Sequence, residues 1–181
     1  MSDTELYNWN NLITQTARDS MMTDIRDLIN EGHYWKNSPR YQTDVNIFGL
    51  EGEHWCNMKM SFIWSVFAYL KSDISIKSIK SWSYMTSLAY TGDDRDNLWH
   101  THTREGSTTV SGVYYLSVPP SVDLKTSGTE FSPLGPQNSQ GRFFVPAYEG
   151  YWAIWPGSTW HRPGVLQSEK DRFIIAADLE F

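Results

Sequence analysis

Apolar residues recur at three- and four-residue spacing in two segments near the start of the chain. In the first segment they are Leu12, Ile13, Ala17, Met21, Ile25, Leu28 and Ile29. In the second they are Trp55, Met58, Phe62, Ile63, Val66, Phe67 and Leu70. This spacing places side chains on one face of a helix. It predicts a helix that stops at Glu31-Gly32 and another over residues 53 to 71, which we expect to lie on a sheet.

After Asp73 the apolar pattern changes to a period of two, first over residues 74 to 80 and then over Trp82 to Tyr90. Alternation with β-branched and aromatic residue types is typical of strands. Further strand candidates, each bounded by Gly, Pro, Asn or Asp, are Thr108 to Val118, Thr129 to Phe131, Arg142 to Val145, Tyr151 to Trp155 and Arg172 to Phe181. The chain beyond Asp73 is therefore predicted to be β throughout.

Helices first and many short strands afterwards predict an antiparallel sandwich or barrel with helices packed outside one sheet. The 181 residues suit one domain, with residues 1–71 as helical support and residues 74–181 as the β core. The stretch from Pro119 to Gly141 holds four prolines and three glycines. We expect a surface loop there, of the kind that covers a site.

The composition and charge of the chain argue against several classes of function. The formal charge is −6, with 15 Lys and Arg against 21 Asp and Glu, which argues against nucleic acid or an anionic membrane as partner. A single cysteine, Cys56, forms no internal disulfide, and the start MSDTELYNWN has no basic region followed by an apolar run. No stretch is apolar enough to span a membrane. We expect a cytoplasmic protein.

Three of the five histidines fall in two short motifs, His100 and His102 in a His-Thr-His sequence and His161 after a Pro-Gly turn. In an extended segment, residues two apart share a face, so one iron or other transition-metal ion can take both imidazoles. A third ligand must then come from elsewhere in the fold, and His161 is the candidate. The alternative is a pair of surface histidines where a loop meets a strand.

Arg172 opens the last predicted strand, eleven residues after His161. An arginine that points into the barrel needs an anionic partner, such as a ligand carboxylate held by two hydrogen bonds. The alternative is a strand-end arginine on the surface, paired with Glu169 or Asp171.

Residues 82 to 181 contain, in this order, WHTHTREGSTTVSGVYYLSVP, GTEFSP, GYWAIWPGSTWHRPG and EKDRFIIAADLEF. This part of the chain resembles the iron(II)- and 2-oxoglutarate-dependent oxygenases, in particular a small branch with His-x-His before SGVYYL. The family fold is the double-stranded β-helix, a jelly roll that forms a flattened antiparallel barrel. The resemblance implies Fe(II), 2-oxoglutarate as cosubstrate and O₂, and hydroxylation of a substrate with release of succinate and CO₂.

By this resemblance, His100 takes the place of the first iron ligand and His161 that of the distal histidine. His102 stands where the family usually has a carboxylate ligand, so the implied metal set is three histidines. Arg172 takes the place of the residue that anchors the distal carboxylate of 2-oxoglutarate. Ile174 stands where a serine often follows that arginine.

Trp99 and Trp160 each precede a proposed ligand, and with Tyr114 they are candidates for the substrate pocket. The alternative for aromatic residues at alternating strand positions is packing in the core. We expect a small-molecule substrate rather than a protein, and no nucleic-acid or membrane partner.

A cupin shares the barrel but not the cosubstrate. Its two motifs are approximated by His100, His102, Glu105 and Gly112, and by Gly150, Pro156, Gly157 and His161. On this alternative Glu105 is a fourth metal ligand, Arg172 has no role, and the protein is a metal-dependent dioxygenase or isomerase without 2-oxoglutarate. A third hypothesis is a non-enzymatic jelly roll in which the three histidines are incidental.

Overall fold

The computed structural model describes residues 4–37, 40–86, 98–120, 123, 127–164 and 170–181. The helices within these residues are α1 (Gln15–Asn30) and α2 (Glu53–Leu70), and a 3-10 turn covers Ile47–Gly49. The strands are β1 (Glu5–Asn8), β2 (Tyr34–Asn37), β3 (Arg40–Thr43), β4 (Ser78–Thr86), β5 (Thr109–Ser117), β6 (Thr129–Ser132), β7 (Phe143–Val145), β8 (Tyr151–Pro156), β9 (Trp160–Pro163) and β10 (Arg172–Glu180). Both predicted helices are confirmed.

The described strands form two antiparallel sheets. The larger sheet has seven strands in the order β1-β8-β5-β10-β4-β3-β2, and the smaller has three in the order β7-β6-β9. β10 pairs with β5 on one side and with β4 on the other. The predicted mainly β architecture with antiparallel sheets is confirmed, and the last strand of the chain lies at the centre of the large sheet.

The two helices cover one face of the seven-stranded sheet. Met21, Ile25 and Ile29 of α1 are buried at four-residue spacing, and the helix begins where the Thr14 hydroxyl accepts a hydrogen bond from a backbone N–H of the first turn. Phe62 of α2 lies so close to β5 that a methyl group at Gly112 would meet its ring at 2.9 Å. Within the described residues no helix is both long and apolar enough to cross a membrane.

Two serines attach α2 to the aromatic side chains beneath it. Ser61 and Ser65 are fully buried. The indole N–H of Trp152 donates to the Ser61 hydroxyl at 2.9 Å, and that of Trp9 donates to the Ser65 hydroxyl at 2.8 Å. Buried donors need such partners, so the polar positions that interrupt the apolar face of α2 fix how the helix lies on the sheet.

A second hydrophobic cluster fills the space between the two sheets and includes Val113, Phe131, Trp155 and Ala176. Side chains along β5 alternate between the two faces of its sheet. Tyr114 therefore packs with the helices, whereas Tyr115 packs between the sheets. Residues on this inner side of the large sheet face the small sheet.

The expectation that strands begin only after Asp73 is wrong. β1, β2 and β3 precede that residue and complete the two edges of the large sheet, and β9, which carries His161, was also not predicted. Each has four residues, too few for a visible alternation. Conversely, residues 74–77 are not in a strand, and the predicted strand positions 87–90 lie outside the described residues.

The stretch from Pro119 to Gly141 is not wholly a surface loop. It contains β6, all four residues of which are buried. β6 is the middle strand of the small sheet, between β7 and β9. The strand predicted over Thr129 to Phe131 is therefore confirmed, and the expected loop is limited to the residues around it.

Candidate metal centre

The structure brings His100, His102 and His161 together. His100 and His161 lie opposite each other and exchange two backbone hydrogen bonds of 3.1 Å, and the N–H of His102 donates to the carbonyl of Gly157 at 2.7 Å. The ring centroids are 4.2 Å apart for His100 and His161, and 5.0 Å apart for each pair that includes His102. One nitrogen from each ring lies within 4.8 Å of the others, close enough to share one metal ion.

All three rings use Nδ1 for a hydrogen bond, which leaves Nε2 for a metal. Nδ1 of His100 donates to the carbonyl of Leu98 at 2.7 Å, and Nδ1 of His161 donates to that of Thr159 at 2.9 Å. A carbonyl oxygen has no proton to give, so the proton is on Nδ1. The Nε2 atom of His102 is buried and has no hydrogen-bond partner in the described part of the chain. Three such lone pairs fit a transition metal such as iron.

Asp178 accepts a hydrogen bond from the ring of His102, a contact that was not predicted from the sequence. Both of its carboxylate oxygens lie 2.7 Å from Nδ1 of His102, and the Ser111 hydroxyl donates to one of them at 2.8 Å. Asp178 is only 6% exposed. Side chains alternate along a strand, so Asp178, six positions after Arg172, is predicted to point to the same face. An acidic residue within the apolar sequence FIIAADLEF could therefore have indicated its role.

Aromatic side chains surround the three histidines. Trp82 stacks on His102 with ring centroids 5.7 Å apart, and the rings of Trp155 and His161 lie edge to face with centroids 4.9 Å apart. Burial, and then the neighbouring imidazoles, hold the pKa of His161 well below its usual value. Loss of solvent around its ring also lowers the pKa of His100, although part of that residue is exposed. At neutral pH both rings are neutral and able to bind a metal.

Arg172 points inward and lines the same cavity as the three histidines. It is 3% exposed, which excludes the surface alternative, and Nη1 donates to the carbonyl of Ser127. Its Nε has no hydrogen-bond partner among the described residues. Burial lowers the pKa of Arg172 to about 10, against the opposing effect of nearby Tyr115, so the guanidinium stays charged at neutral pH. A buried cation with an unused donor is suited to an anionic ligand.

The cavity lies between the two sheets. Its lining includes Arg40 on β3, Trp82 and Tyr84 on β4, Thr129 on β6, Trp155 on β8 and Ile174 on β10. Tyr115 shares a hydrogen bond of 2.9 Å with Thr129 and lies close to Arg172. The arginine and the histidines thus face one space with apolar walls.

The predicted pocket residues are placed differently. Tyr114 lies on the opposite face of β5, packed on Trp152 with ring centroids 5.4 Å apart, and it is not among the described residues that line the cavity. Trp99 is buried beneath the guanidinium of Arg162, 4.4 Å from its ring. Neither Trp99 nor Trp160 is among the described residues that line the cavity.

Glu105 is exposed and lies in a turn. It is not part of the cluster of candidate metal ligands found among the described residues. The fourth ligand that a cupin site would require is therefore not in place.

By sequence, neither a protein-family model nor a curated protein matches the chain. By structure, it is similar to a prolyl-4-hydroxylase from Pseudomonas putida, with a TM-score of 0.63 and 10% identity over 98% of this chain and 91% of that one. A Trichoplax adhaerens prolyl hydroxylase in complex with a peptide of hypoxia inducible factor matches with a TM-score of 0.63 and 12% identity, over 100% and 84% of the two chains.

The epimerase SnoN from nogalamycin biosynthesis, in complex with Fe³⁺, alpha ketoglutarate and nogalamycin RO, matches with a TM-score of 0.63. The identity is 11%, over 98% of this chain and 78% of that one. This chain shares its fold with 2-oxoglutarate-dependent enzymes. The resemblance inferred from the sequence motifs is thereby confirmed for the fold.

Proposed function

We propose that this chain is an Fe(II)- and 2-oxoglutarate-dependent oxygenase. The observation that carries the proposal is the presence, in one cavity, of a buried arginine with an unused donor and three histidines that use Nδ1 for a hydrogen bond, which leaves Nε2 for a metal. His100, His102 and His161 would hold the iron. Arg172 would hold the distal carboxylate of 2-oxoglutarate by a charge-assisted pair.

The donor set suits this chemistry. With three protein ligands, Fe(II) would keep positions for the keto-acid end of 2-oxoglutarate and for O₂. When bound, these groups supply oxidative decarboxylation to succinate and CO₂, coupled to hydroxylation of a substrate. Three neutral imidazole ligands would leave Fe(II) its full double charge, which the 2-oxoglutarate dianion would balance. Arg172 orients the dianion, and the aromatic walls of Trp82 and Trp155 keep water away from it.

The proposal also includes the architecture of the chain. The two facing sheets would form the double-stranded β-helix, and residues 1–181 would form one oxygenase domain. Support comes from the large sheet, in which β1 and β3 from the first part of the chain pair with β8 and β4 from the second.

We propose a small-molecule substrate. The cavity is bounded by both sheets and lined by apolar side chains such as Ile174 and Val113, which suits a compact ligand better than an extended chain. Among proteins of similar structure, one holds a peptide and another holds nogalamycin RO. The walls of the cavity rather than the fold therefore select the substrate.

Anaerobic titration with Fe(II) and then 2-oxoglutarate, followed by visible absorption, tests the proposal. We expect a weak charge-transfer band that appears only when both are present and that is absent when Zn(II) replaces Fe(II). Iron binding without any effect of 2-oxoglutarate would instead favour a metal-dependent dioxygenase or isomerase of the cupin type. Failure to bind metal at all would favour a non-enzymatic jelly roll.

A further inference from the structure

The three histidines differ in the group that accepts the hydrogen bond from Nδ1. His100 and His161 donate Nδ1–H to neutral backbone carbonyls, those of Leu98 and Thr159. His102 alone among the three donates to a carboxylate, that of Asp178. By the family resemblance, His102 also stands where the usual carboxylate ligand does. The negative charge missing from the ligand set is therefore present one residue further from the proposed metal.

We infer that Asp178 is a positioning residue for the metal centre, which acts through His102. It holds the His102 ring in the tautomer with a free Nε2, and it supplies the negative charge that the commoner ligand set carries on the metal itself. This inference rests on the proposed function, because it requires that His102 bind the metal. A carboxylate behind a metal-binding histidine fixes the ring and raises the basicity of the ligand atom.

The strand pairing of the large sheet fixes the position of Asp178. Asp178 lies directly opposite Ser111 in the pairing of β10 with β5, and the Ser111 hydroxyl donates to its carboxylate. Trp82, on the neighbouring strand β4, stacks against the His102 ring. His102 and Asp178 are 13% and 8% exposed by their side chains, so solvent competes little for this hydrogen bond.

Substitution Asp178→Asn tests the charge while retaining an oxygen that can accept from Nδ1. Loss of a partner of this kind typically weakens metal binding by about 10- to 100-fold. We expect this change in the dissociation constant for Co(II) or Fe(II), measured by competition with a chelator. Asp24→Asn is the matched control, because Asp24 also accepts from a histidine, His54, at 2.8 Å, but between the two helices. It should bind metal as the parent does.

The tautomer of His102 provides a readout that needs no substitution. In the metal-free parent protein, nitrogen NMR shifts should show the proton of His102 on Nδ1 and a bare Nε2. A parent protein with the proton on Nε2 would overturn the inference, as would equal metal affinity in Asp178→Asn and the parent. A parent protein that binds no metal would instead contradict the proposed function.

A double substitution distinguishes the effect of the Asp178 charge on metal binding from a general effect on folding. His102→Asp places a carboxylate in the ligand position but leaves the buried Asp178 without its partner, with like charges close together. In that background Asp178→Asn should strengthen metal binding, although it weakens binding in the parent. If Asp178→Asn weakens binding in both backgrounds, Asp178 supports the fold only and the inference fails.

Discussion

Arg40 and Arg172 lie opposite the same residue, Thr86, on the two sides of β4. Both line the cavity, and the charge of Arg40 adds to the effect of burial in lowering the pKa of Arg172. Their strands are separated by β4 alone, so the two backbones are about 10 Å apart. An anion that enters this end of the cavity meets a positive potential from two strands, which favours a dianion over a neutral ligand.

Arg172→Ala should retain iron and lose affinity for 2-oxoglutarate. Removal of one partner of a buried charge pair costs about 2–5 kcal/mol, which is about 30-fold or more in Kd. Titration of the iron-loaded protein with 2-oxoglutarate measures the change. Arg26→Ala is the control, because Arg26 lies 4.7 Å from the ring of the adjacent Phe173 but belongs to α1, on the helix side of β10. Unchanged affinity in Arg172→Ala would exclude the anchoring role.

Glu105→Ala should retain both metal and the slow production of succinate in the absence of substrate, because Glu105 is exposed and outside the histidine cluster. His102→Ala should weaken iron binding, since it removes one of three ligand atoms. Metal content after dialysis, together with a succinate assay, distinguishes the two variants. Loss of metal from Glu105→Ala would restore the cupin hypothesis.

Ser61→Ala should destabilise the protein by about 1–3 kcal/mol, because it leaves the buried indole N–H of Trp152 without an acceptor. Urea denaturation of the metal-free protein measures the free energy of unfolding. Thr23→Ala is a suitable comparison, because the Thr23 hydroxyl is exposed and bonds only within α1. Equal effects of the two substitutions would show that the serine does not attach the helix to the sheet.

Gly112→Ala should destabilise the protein through overpacking. The added methyl group would lie 2.7 Å from Cδ1 of Ile154 and 2.9 Å from the Phe62 ring, and such crowding costs about 1–3 kcal/mol. Gly49→Ala has open space around the added carbon and should change the melting temperature little. A Gly112→Ala protein as stable as the parent would mean that α2 moves freely away from β5.

The parts of the structure with long repeating patterns were accessible from the sequence. Both helices follow from apolar periodicity, and the long strands β5 and β10 follow from apolar runs bounded by Gly, Pro, Asn or Asp. The three histidines and Arg172 follow from their motifs. The remaining features depend on contacts between distant parts of the chain. β9 is recognisable only through its pairing with β6, and the contact between His102 and Asp178 joins residues 76 positions apart.

The aromatic pair at Tyr114 and Tyr115 illustrates a different limit. Two adjacent tyrosines on a strand point to opposite faces, and both are buried here. Composition therefore gives no sign of which one faces the helices and which one faces the site. The face is set by the pairing of β5 with β10, which brings Ser111 opposite Asp178.

One strand, β10, carries both Arg172 and Asp178 on the same face. They are six positions apart in the sequence, which is about 20 Å along an extended strand. Insertion or deletion of one residue between them would turn one of the two side chains to the helix side of the sheet. Evolution can therefore change the residue types between them, as at Ile174, but not their number. Among proteins that share this arrangement, we expect the spacing between the arginine and the aspartate to be constant.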